Sequence, residues 1–113
     1  MNAVERYKKG GEVMKVIMRT TVKIVPGKMA EYMEVDKKGE AISIRAGGPS
    51  WKRYGCLSGD SLHTMVYDTE FDSLAALEAF LEKMFTDPER QALMSKSDTC
   101  IVSHENELLM PMS

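Results

Sequence analysis

The strongest constraint on the fold is an alternating segment that stops abruptly at a Pro-Gly pair. In residues 14–25, MKVIMRTTVKIV, every even position is apolar or threonine, and β-branched residues are frequent. This period of two predicts a strand with one buried face. Pro26 has no amide hydrogen for a strand ladder and Gly27 permits a sharp turn, so the strand is expected to end there. Apolar residues at helical spacing then predict a helix from Lys28.

The apolar stripe of this helix is interrupted. Asp36, Gly39 and Glu40 stand where apolar residues are expected, and the stripe resumes only at Ile42. Two interpretations are open. The helix is kinked or frayed at Gly39, or it carries a polar notch that faces a pocket. The Ala-Gly-Gly-Pro run at 46–49 is a typical helix stop.

The rest of the chain alternates between strand and helix patterns. Period-two segments indicate strands, and cap residues followed by apolar stripes indicate helices. The predicted elements are strands at 51–57 and 62–71 around a hairpin-type loop at 58–61, an amphipathic helix capped by Asp72 or Ser73, a short helix from the Thr-Asp-Pro-Glu run at 86–89, and a last strand at 99–110.

The order strand, helix, strand, strand, helix, strand defines the expected fold. It predicts an α+β protein, a ferredoxin-like βαββαβ sandwich whose four-stranded antiparallel sheet has both helices on one face. The other face carries apolar residues, such as Ile17 and either Met65 or Val66, with no helix left to cover it. An uncovered apolar sheet face predicts a partner, and the simplest partner is a second copy of the same sheet, which gives a homodimer.

The 113 residues fit one domain. Residues 1–13 have no clear period and are expected to form a loose arm, with the folded domain spanning 14–113. The codons for Lys-Gly-Gly-Glu-Val before Met14 can spell a purine-rich ribosome-binding site. We therefore expect a bacterial source in which translation starts at Met14; abundant peptides from residues 1–13 in the endogenous protein would contradict this.

Composition excludes several classes of function. Fifteen basic and 17 acidic side chains give a net charge of -2, which predicts no nucleic-acid binding. The sequence contains no run of about 18 apolar residues, so no membrane span is predicted. Cys56 and Cys100 are far apart and match no metal or disulfide pattern, so we expect reduced thiols in a cytoplasmic protein. Gly47-Gly48 follows a helix, whereas phosphate-binding glycines precede a helix N-terminus, so this pair predicts no phosphate site. The sequence implies no cofactor.

Few residues are candidates for a ligand site. They are Asp36 in the helix notch, Trp51 after the Gly-Gly-Pro turn, and the strand residues His63, Tyr67 and His104. Trp51 either stacks on a planar ligand or anchors its strand against a dimer mate. The two histidines have no carboxylates or cysteines at metal-ligand spacing, which predicts no metal site. No residue is assigned a catalytic role.

Tyr67 is followed directly by an acidic residue, Asp68. Adjacent strand residues face opposite sides of a sheet, so the two side chains are expected to serve different surfaces. A carboxylate removed from water needs a partner, and Arg19 or Lys23 on the first strand is positioned to supply one. We therefore expect Asp68 to form a structural ion pair.

Several segments, in this order, resemble the NIPSNAP-type family of the dimeric α/β-barrel superfamily. The resemblance spans roughly residues 16–111 and rests on VPGKMAEYMEV, AGGPSW, EFDSLAALEAF, TDPERQALM and IVSHENELL. It implies a ferredoxin-like fold and a homodimer whose two sheets close a barrel. In related antibiotic-biosynthesis monooxygenases a small-molecule pocket lies between sheet and helices. The family implies no settled catalytic residues, and Tyr67 and Thr69 stand where it often has His and Trp.

Two functions remain open. The first is a small homodimeric protein that binds a small molecule between sheet and helices. The alternative is a cofactor-independent monooxygenase or isomerase that acts on a small aromatic or lactone-like compound. The discriminating observation is whether two or more of Asp36, His63, Tyr67 and His104 converge on one cavity.

Overall fold

The computed structural model describes residues 14–112, so the arm predicted over residues 1–13 lies outside the described residues. The chain runs strand, helix, strand, strand, helix, helix, strand, as predicted. The elements are β1 (Val16–Ile24), α1 (Met29–Arg45), β2 (Lys52–Gly55), β3 (Thr64–Phe71), α2 (Leu74–Thr86), α3 (Pro88–Asp98) and β4 (Ile101–Leu109).

The four strands form one antiparallel sheet in the order β2-β3-β1-β4. This is the strand order of a ferredoxin-like sheet, so the predicted fold class is confirmed. Tyr67 of β3 lies between Arg53 of β2 and Thr20 of β1, and Thr20 is opposite Asn106 of β4. Because paired residues share a face, these four side chains form a row across the sheet.

The Pro-Gly elbow ends β1 as expected. Val25 and Lys28 close a turn around it, with the Lys28 amide donating to the Val25 carbonyl at 3.0 Å. Gly27 sits at φ 86°, a left-handed conformation that a side chain disfavours. The turn sends α1 back across the sheet, which places the polar notch of the helix above β3.

The strands of the hairpin are shorter than predicted. Pairing between β2 and β3 ends at Gly55 and Met65, so 56–63 form a longer loop than the four residues expected. Gly59 adopts φ 68° within this loop. Residues of apolar character, such as Leu57 and Leu62, are exposed there because no strand partner extends to meet them.

Side-chain caps fix the starts of α2 and α3. Of the two candidates for α2, Ser73 is the cap, and its Oγ accepts a hydrogen bond from the Ala76 amide at 3.0 Å. Asp87 caps α3 by accepting from the amides of Glu89 and Arg90, and Pro88 occupies the first turn. These caps satisfy amides that otherwise lack partners at a helix N-terminus.

The end of α1 packs tightly against α2. A Cβ placed on Gly48 would lie 2.3 Å from Cε1 of Phe80 and 2.8 Å from Oγ of Ser43. Only a residue without a side chain allows this approach. The contact holds Phe80 against the inner face of the sheet, where its ring lies 5.4 Å from that of Phe71.

The core lies between the helices and one face of the sheet, here called the inner face. Even-numbered residues of β1 point into it, as the alternation predicted. One cluster of buried side chains joins Val22, Ile24, Tyr32, Tyr67 and Cys100, and a second joins Val16, Phe71 and Leu77.

The opposite, outer face of the sheet is more polar than predicted. Val66, rather than Met65, points to this face, because Met65 packs against the inner core. Arg19 and Asp68 cross its centre in the predicted ion pair, with Nε–Oδ1 and Nη2–Oδ2 distances of 2.8 and 2.9 Å. These bonds lower the pKa of Asp68. By register the face also carries Lys23, Glu105 and Glu107 beside the apolar Ile17, Tyr54, Val66 and Leu109.

Candidate functional site

A cavity of about 570 Å³ lies between the inner face of the sheet and the three helices. Its wall is mainly apolar and aromatic, with a few polar groups. The apolar lining comprises Met18, Val22, Val35, Trp51, Phe71, Phe80, Leu81, Met84, Phe85, Leu93, Met94 and Ile101. A concave, largely apolar space with a small number of polar groups is the usual form of a small-molecule site.

Two tyrosines carry the polar centre of the cavity wall. The hydroxyl oxygens of Tyr32 on α1 and Tyr67 on β3 are 2.8 Å apart, in a buried hydrogen bond. Burial raises the pKa of Tyr32 to about 12. Burial and the bond to Tyr32 raise the pKa of Tyr67 further. Both phenols are therefore protonated at neutral pH and can donate as well as accept.

A buried ion pair lies next to the tyrosines. The side chain of Asp36 is 2% exposed, and its Oδ2 lies 2.7 Å from Nε of Arg53, which is 27% exposed. The second branch of the guanidinium reaches Oε1 of Glu40 at 2.8 Å. The negative charge of Asp36 also contributes to the raised pKa of Tyr67. Arg53 therefore neutralises a carboxylate that would otherwise be costly to bury.

Trp51 closes this part of the wall. Its ring meets Tyr67 edge-on with centroids 5.7 Å apart, and the Arg53 guanidinium lies 5.5 Å from its centroid. Its backbone amide donates to Oε2 of Glu40 at 2.9 Å, a bond that lowers the pKa of Glu40. A Cβ on Gly39 would stand 3.3 Å from Cη2 of Trp51, so the missing side chain makes room for the indole.

The edge strand β4 contributes polar groups that are open to solvent. His104 and Asn106 line the cavity and are exposed. The Thr20 hydroxyl donates to Oδ1 of Asn106 at 2.8 Å. The cavity wall is therefore open to solvent at this strand.

The family model for NIPSNAP matches residues 19–113. The chain belongs to the NIPSNAP family. A NIPSNAP family protein from Agrobacterium tumefaciens has the same fold, with 24% identity, a TM-score of 0.75 and 89% of each chain covered. An uncharacterised NIPSNAP domain protein from Burkholderia xenovorans is 25% identical, with a TM-score of 0.73 over 88% of this chain and 96% of that one.

The fold extends beyond NIPSNAP proteins. SnoaB, a cofactor-independent oxygenase from Streptomyces nogalater, is 15% identical over 88% of this chain and 95% of its own, with a TM-score of 0.65. At that identity the likeness concerns the fold alone. Among curated proteins, none is significantly similar to the chain in sequence.

Four of the five predicted ligand residues of this NIPSNAP chain line the cavity: Asp36, Trp51, Tyr67 and His104. His63 does not. It precedes β3, and its Nδ1 lies 3.0 Å from Oδ1 of Asp60 in the loop. Helix α1 runs unbroken past Gly39, so it is not frayed there, and Asp36 lies in the cavity wall, as expected for a polar notch that faces a pocket.

Tyr32 and Arg53 were missed as site residues. Tyr32 is four residues before Asp36, and that spacing places both on one face of a helix. Arg53 is two residues after Trp51, which places both on one face of a strand. Both spacings are visible in the sequence, but Tyr32 also fits the apolar stripe that predicts the helix.

The buried tyrosine pair predicts alkaline destabilisation. As the pH rises past 10, the ordinary pKa of tyrosine, the unfolded chain loses phenolic protons before the folded chain does, so the free energy of unfolding falls toward about pH 12. The expected slope is up to about 1.4 kcal/mol per pH unit for each tyrosine. Urea denaturation from neutral pH to about pH 11 measures it. Tyr67→Phe should flatten the slope; a slope equal to that of the wild-type protein would contradict the assignment.

No helix within residues 14–112 is long and apolar enough to cross a membrane. In the same range no group of three or more His, Cys, Asp or Glu side chains is placed to hold a metal ion. Cys56 and Cys100 are both free thiols, and Cys100 is buried beside Glu31.

Proposed function

We propose that this NIPSNAP protein binds an apolar, planar small molecule in the cavity between sheet and helices. The observation that carries the proposal is the convergence of Tyr32, Tyr67 and Asp36 on a largely apolar cavity. Polar groups that serve only stability are usually sealed inside a core, whereas these border open space. The apolar wall can bury the apolar part of a ligand, and the polar residues can hydrogen-bond to one polar group of that ligand.

The size and lining of the cavity support a compound with one to three rings. About 570 Å³ lies within the range of roughly 300–1,000 Å³ typical of ligand pockets. Trp51, Phe71 and Phe80 provide aromatic surfaces, which favour offset or edge contacts with a planar ligand. Methionines such as Met84 and Met94 add adaptable apolar contacts.

Energy transfer from Trp51 to the neutral naphthalene dye Prodan tests this function. Trp51 is the single tryptophan of the chain and lies in the cavity wall, so a bound dye should quench its emission and fluoresce at shorter wavelength. Thr20→Phe places a ring in the cavity and is expected to weaken dye binding at least about tenfold.

Thr20→Val is the matched control, because it keeps the size of the threonine side chain and leaves the cavity open. It should bind Prodan with nearly wild-type affinity. Circular dichroism establishes that both variants are folded. Equal binding by Thr20→Phe and the wild-type protein would place the dye elsewhere and overturn the proposal.

A cofactor-independent enzyme is the second candidate. It is favoured by the meeting of Asp36, Tyr67 and His104 on one cavity, since a carboxylate or imidazole there is available as a general base. SnoaB, which has the same fold, is such an oxygenase. Oxygen uptake in the presence of a bound hydroxyl-bearing aromatic, lost in Asp36→Asn, would support this candidate. Binding without turnover would count against it.

We also propose that two copies associate through the outer face of the sheet. Ile17, Tyr54 and Val66 give that face apolar area, and the Arg19–Asp68 pair leaves no uncompensated charge at its centre. Within residues 14–112 the helices pack on the inner face only. A monomer in sedimentation velocity would overturn the assembly. The bacterial source and cytoplasmic location stay predictions.

A further inference from the structure

One arginine in the cavity wall has no carboxylate partner within residues 14–112. Arg90 lines the cavity from the first turn of α3 and is half-buried. Its guanidinium lies 5.4 Å from the centre of the Phe85 ring, and no carboxylate of the described residues forms an ion pair with it. A phenyl ring offers no oxygen or nitrogen acceptor, so the N–H donors of this guanidinium stay available to solvent or a ligand.

The carboxylates close to Arg90 in the sequence are engaged elsewhere. Oε2 of Glu89 lies 2.6 Å from Nη2 of Arg45, and Oδ2 of Asp87 lies 3.8 Å from the same nitrogen. Oδ1 of Asp87 accepts the amides that begin α3. Asp98 also lines the cavity, but it stands at the other end of α3, about 12 Å along the helix axis. The local sequence therefore supplies Arg90 with no counter-ion.

The position of Arg90 in its helix does not stabilise its charge either. The N-terminus of a helix carries a partial positive charge, which favours acidic side chains and disfavours basic ones. Arg90 is in the first turn, so its guanidinium adds a positive charge where the helix dipole already provides one. An anion that binds at this point of the cavity would relieve this repulsion.

Arg90 differs in this respect from the other arginine of the cavity wall. The Arg53 guanidinium is shared by Asp36 at 2.7 Å and Glu40 at 2.8 Å, so its charge is already compensated. A ligand anion at Arg53 would meet two carboxylates. At Arg90 the same anion would gain charge-assisted hydrogen bonds, which the planar guanidinium can donate in pairs to one carboxylate.

The free guanidinium and the tyrosine pair lie at different parts of the cavity. Arg45 at the end of α1 bonds to Glu89 at the start of α3, whereas a Cβ on Gly39 would lie 3.8 Å from Cδ2 of Leu93. Helix α3 therefore runs antiparallel to α1, and its first turn lies beside the C-terminal end of α1. The tyrosine pair contacts the N-terminal half of α1. Apolar wall between the two points gives space for the body of a ligand.

We propose that the cavity binds aromatic monocarboxylates, with the ligand carboxylate on the Arg90 guanidinium and the rings against the apolar wall. The inference rests on the proposed binding function, and it gives the planar ligand one anionic group. Arg90 is the specificity-determining residue. Phe85 acts as a positioning residue, because its ring contacts the guanidinium at the cavity.

Two ligands of nearly the same shape test the selection: 2-naphthoate and 2-naphthamide, each in competition with Prodan at neutral pH. They share the ring system and differ in charge. The wild-type protein is expected to bind 2-naphthoate at least about tenfold more tightly than 2-naphthamide, the range of a hydrogen bond to a charged group.

Arg90→Met removes the guanidinium and keeps an apolar stem. The variant should bind 2-naphthamide as the wild-type protein does, which shows that the cavity is intact, while its preference for 2-naphthoate disappears. Lys83→Met is the matched control. It removes an exposed cation of the neighbouring helix α2 that lies outside the cavity lining, so the variant should keep the preference.

The outcomes separate the selection from the binding function. If Prodan binds in the cavity but 2-naphthoate competes no better than 2-naphthamide, the selection is wrong and the binding function stands. The same holds if Arg90→Met keeps the preference, or if Lys83→Met loses as much of it as Arg90→Met does. If Prodan binds the wild-type protein and its Thr20→Phe variant alike, the cavity does not bind it, and both proposals fall.

Discussion

Replacing Arg53 with methionine is expected to lower the free energy of unfolding by about 3–5 kcal/mol, the usual cost of removing one partner of a buried ion pair. The side chain of Asp36 is 2% exposed, and its Oδ2 lies 2.7 Å from the guanidinium. Methionine fills much of the same space but leaves the carboxylate with no cation. The variant also loses the bond from Arg53 to Glu40, which helps to hold Trp51 in the wall. Urea denaturation at neutral pH measures the loss.

Two further variants separate charge burial from simple loss of an ion pair. Arg45→Met breaks a pair of similar length, with 2.6 Å between Nη2 of Arg45 and Oε2 of Glu89, but both side chains are exposed, so a much smaller loss is expected. Asp36→Leu combined with Arg53→Met removes the fully buried carboxylate together with its cation and should recover most of the stability, while the partly exposed Glu40 keeps its bond from the Trp51 amide. Equal losses for Arg53→Met and Arg45→Met would contradict the role assigned to burial.

Introducing glutamate at Val66 is expected to convert the proposed dimer into a monomer. Val66 lies near the centre of the outer face, between Thr21 of β1 and Tyr54 of β2. In a dimer formed by two such faces, each Val66→Glu carboxylate would be removed from water, and Arg19 is already bound to Asp68. Like charges would also be brought together, which costs several kcal/mol. Sedimentation velocity over a range of concentrations measures the change.

Ile44→Glu provides the matched control for this variant. Ile44 is also apolar and 52% exposed, but it lies on α1, in the helical layer and away from the outer face. The Ile44→Glu protein should remain a dimer. If both variants keep the wild-type sedimentation coefficient, the outer face is not the interface, and a dissociated Ile44→Glu protein would move the interface to the helices.

Local patterns were sufficient to predict the framework of the fold. The alternation in β1, the Pro26-Gly27 stop and the helix caps each act over a few residues. Ser73 is one of the two caps expected for α2, and Asp87 lies in the 86–89 run where α3 was expected to begin. The opposite orientation of Tyr67 and Asp68 follows from strand geometry alone. The need of a carboxylate for a cation predicted an ion pair of Asp68 with Arg19 or Lys23, and the strand register decides for Arg19.

The candidate site was predicted only in part, because it depends on how elements meet. Asp36 and Trp51 were recognised as unusual in their local context, but the rotation of α1 over the sheet decides that Asp36 meets Arg53 and that Tyr32 meets Tyr67. The outer face was expected to be apolar from Ile17 and either Met65 or Val66. The cross-strand register, which local patterns do not determine, places charged residues among them.

The contact between Gly48 and Phe80 has a consequence for the energetics of recognition. Because the end of α1 and the neighbouring Phe71 restrain the Phe80 ring, a part of the cavity wall is preorganised before any ligand arrives. Binding then costs little conformational entropy on this side, and more of the gross contact energy contributes to affinity. A methyl group added at position 48 would lower the stability of the fold and would also change the shape of the cavity wall.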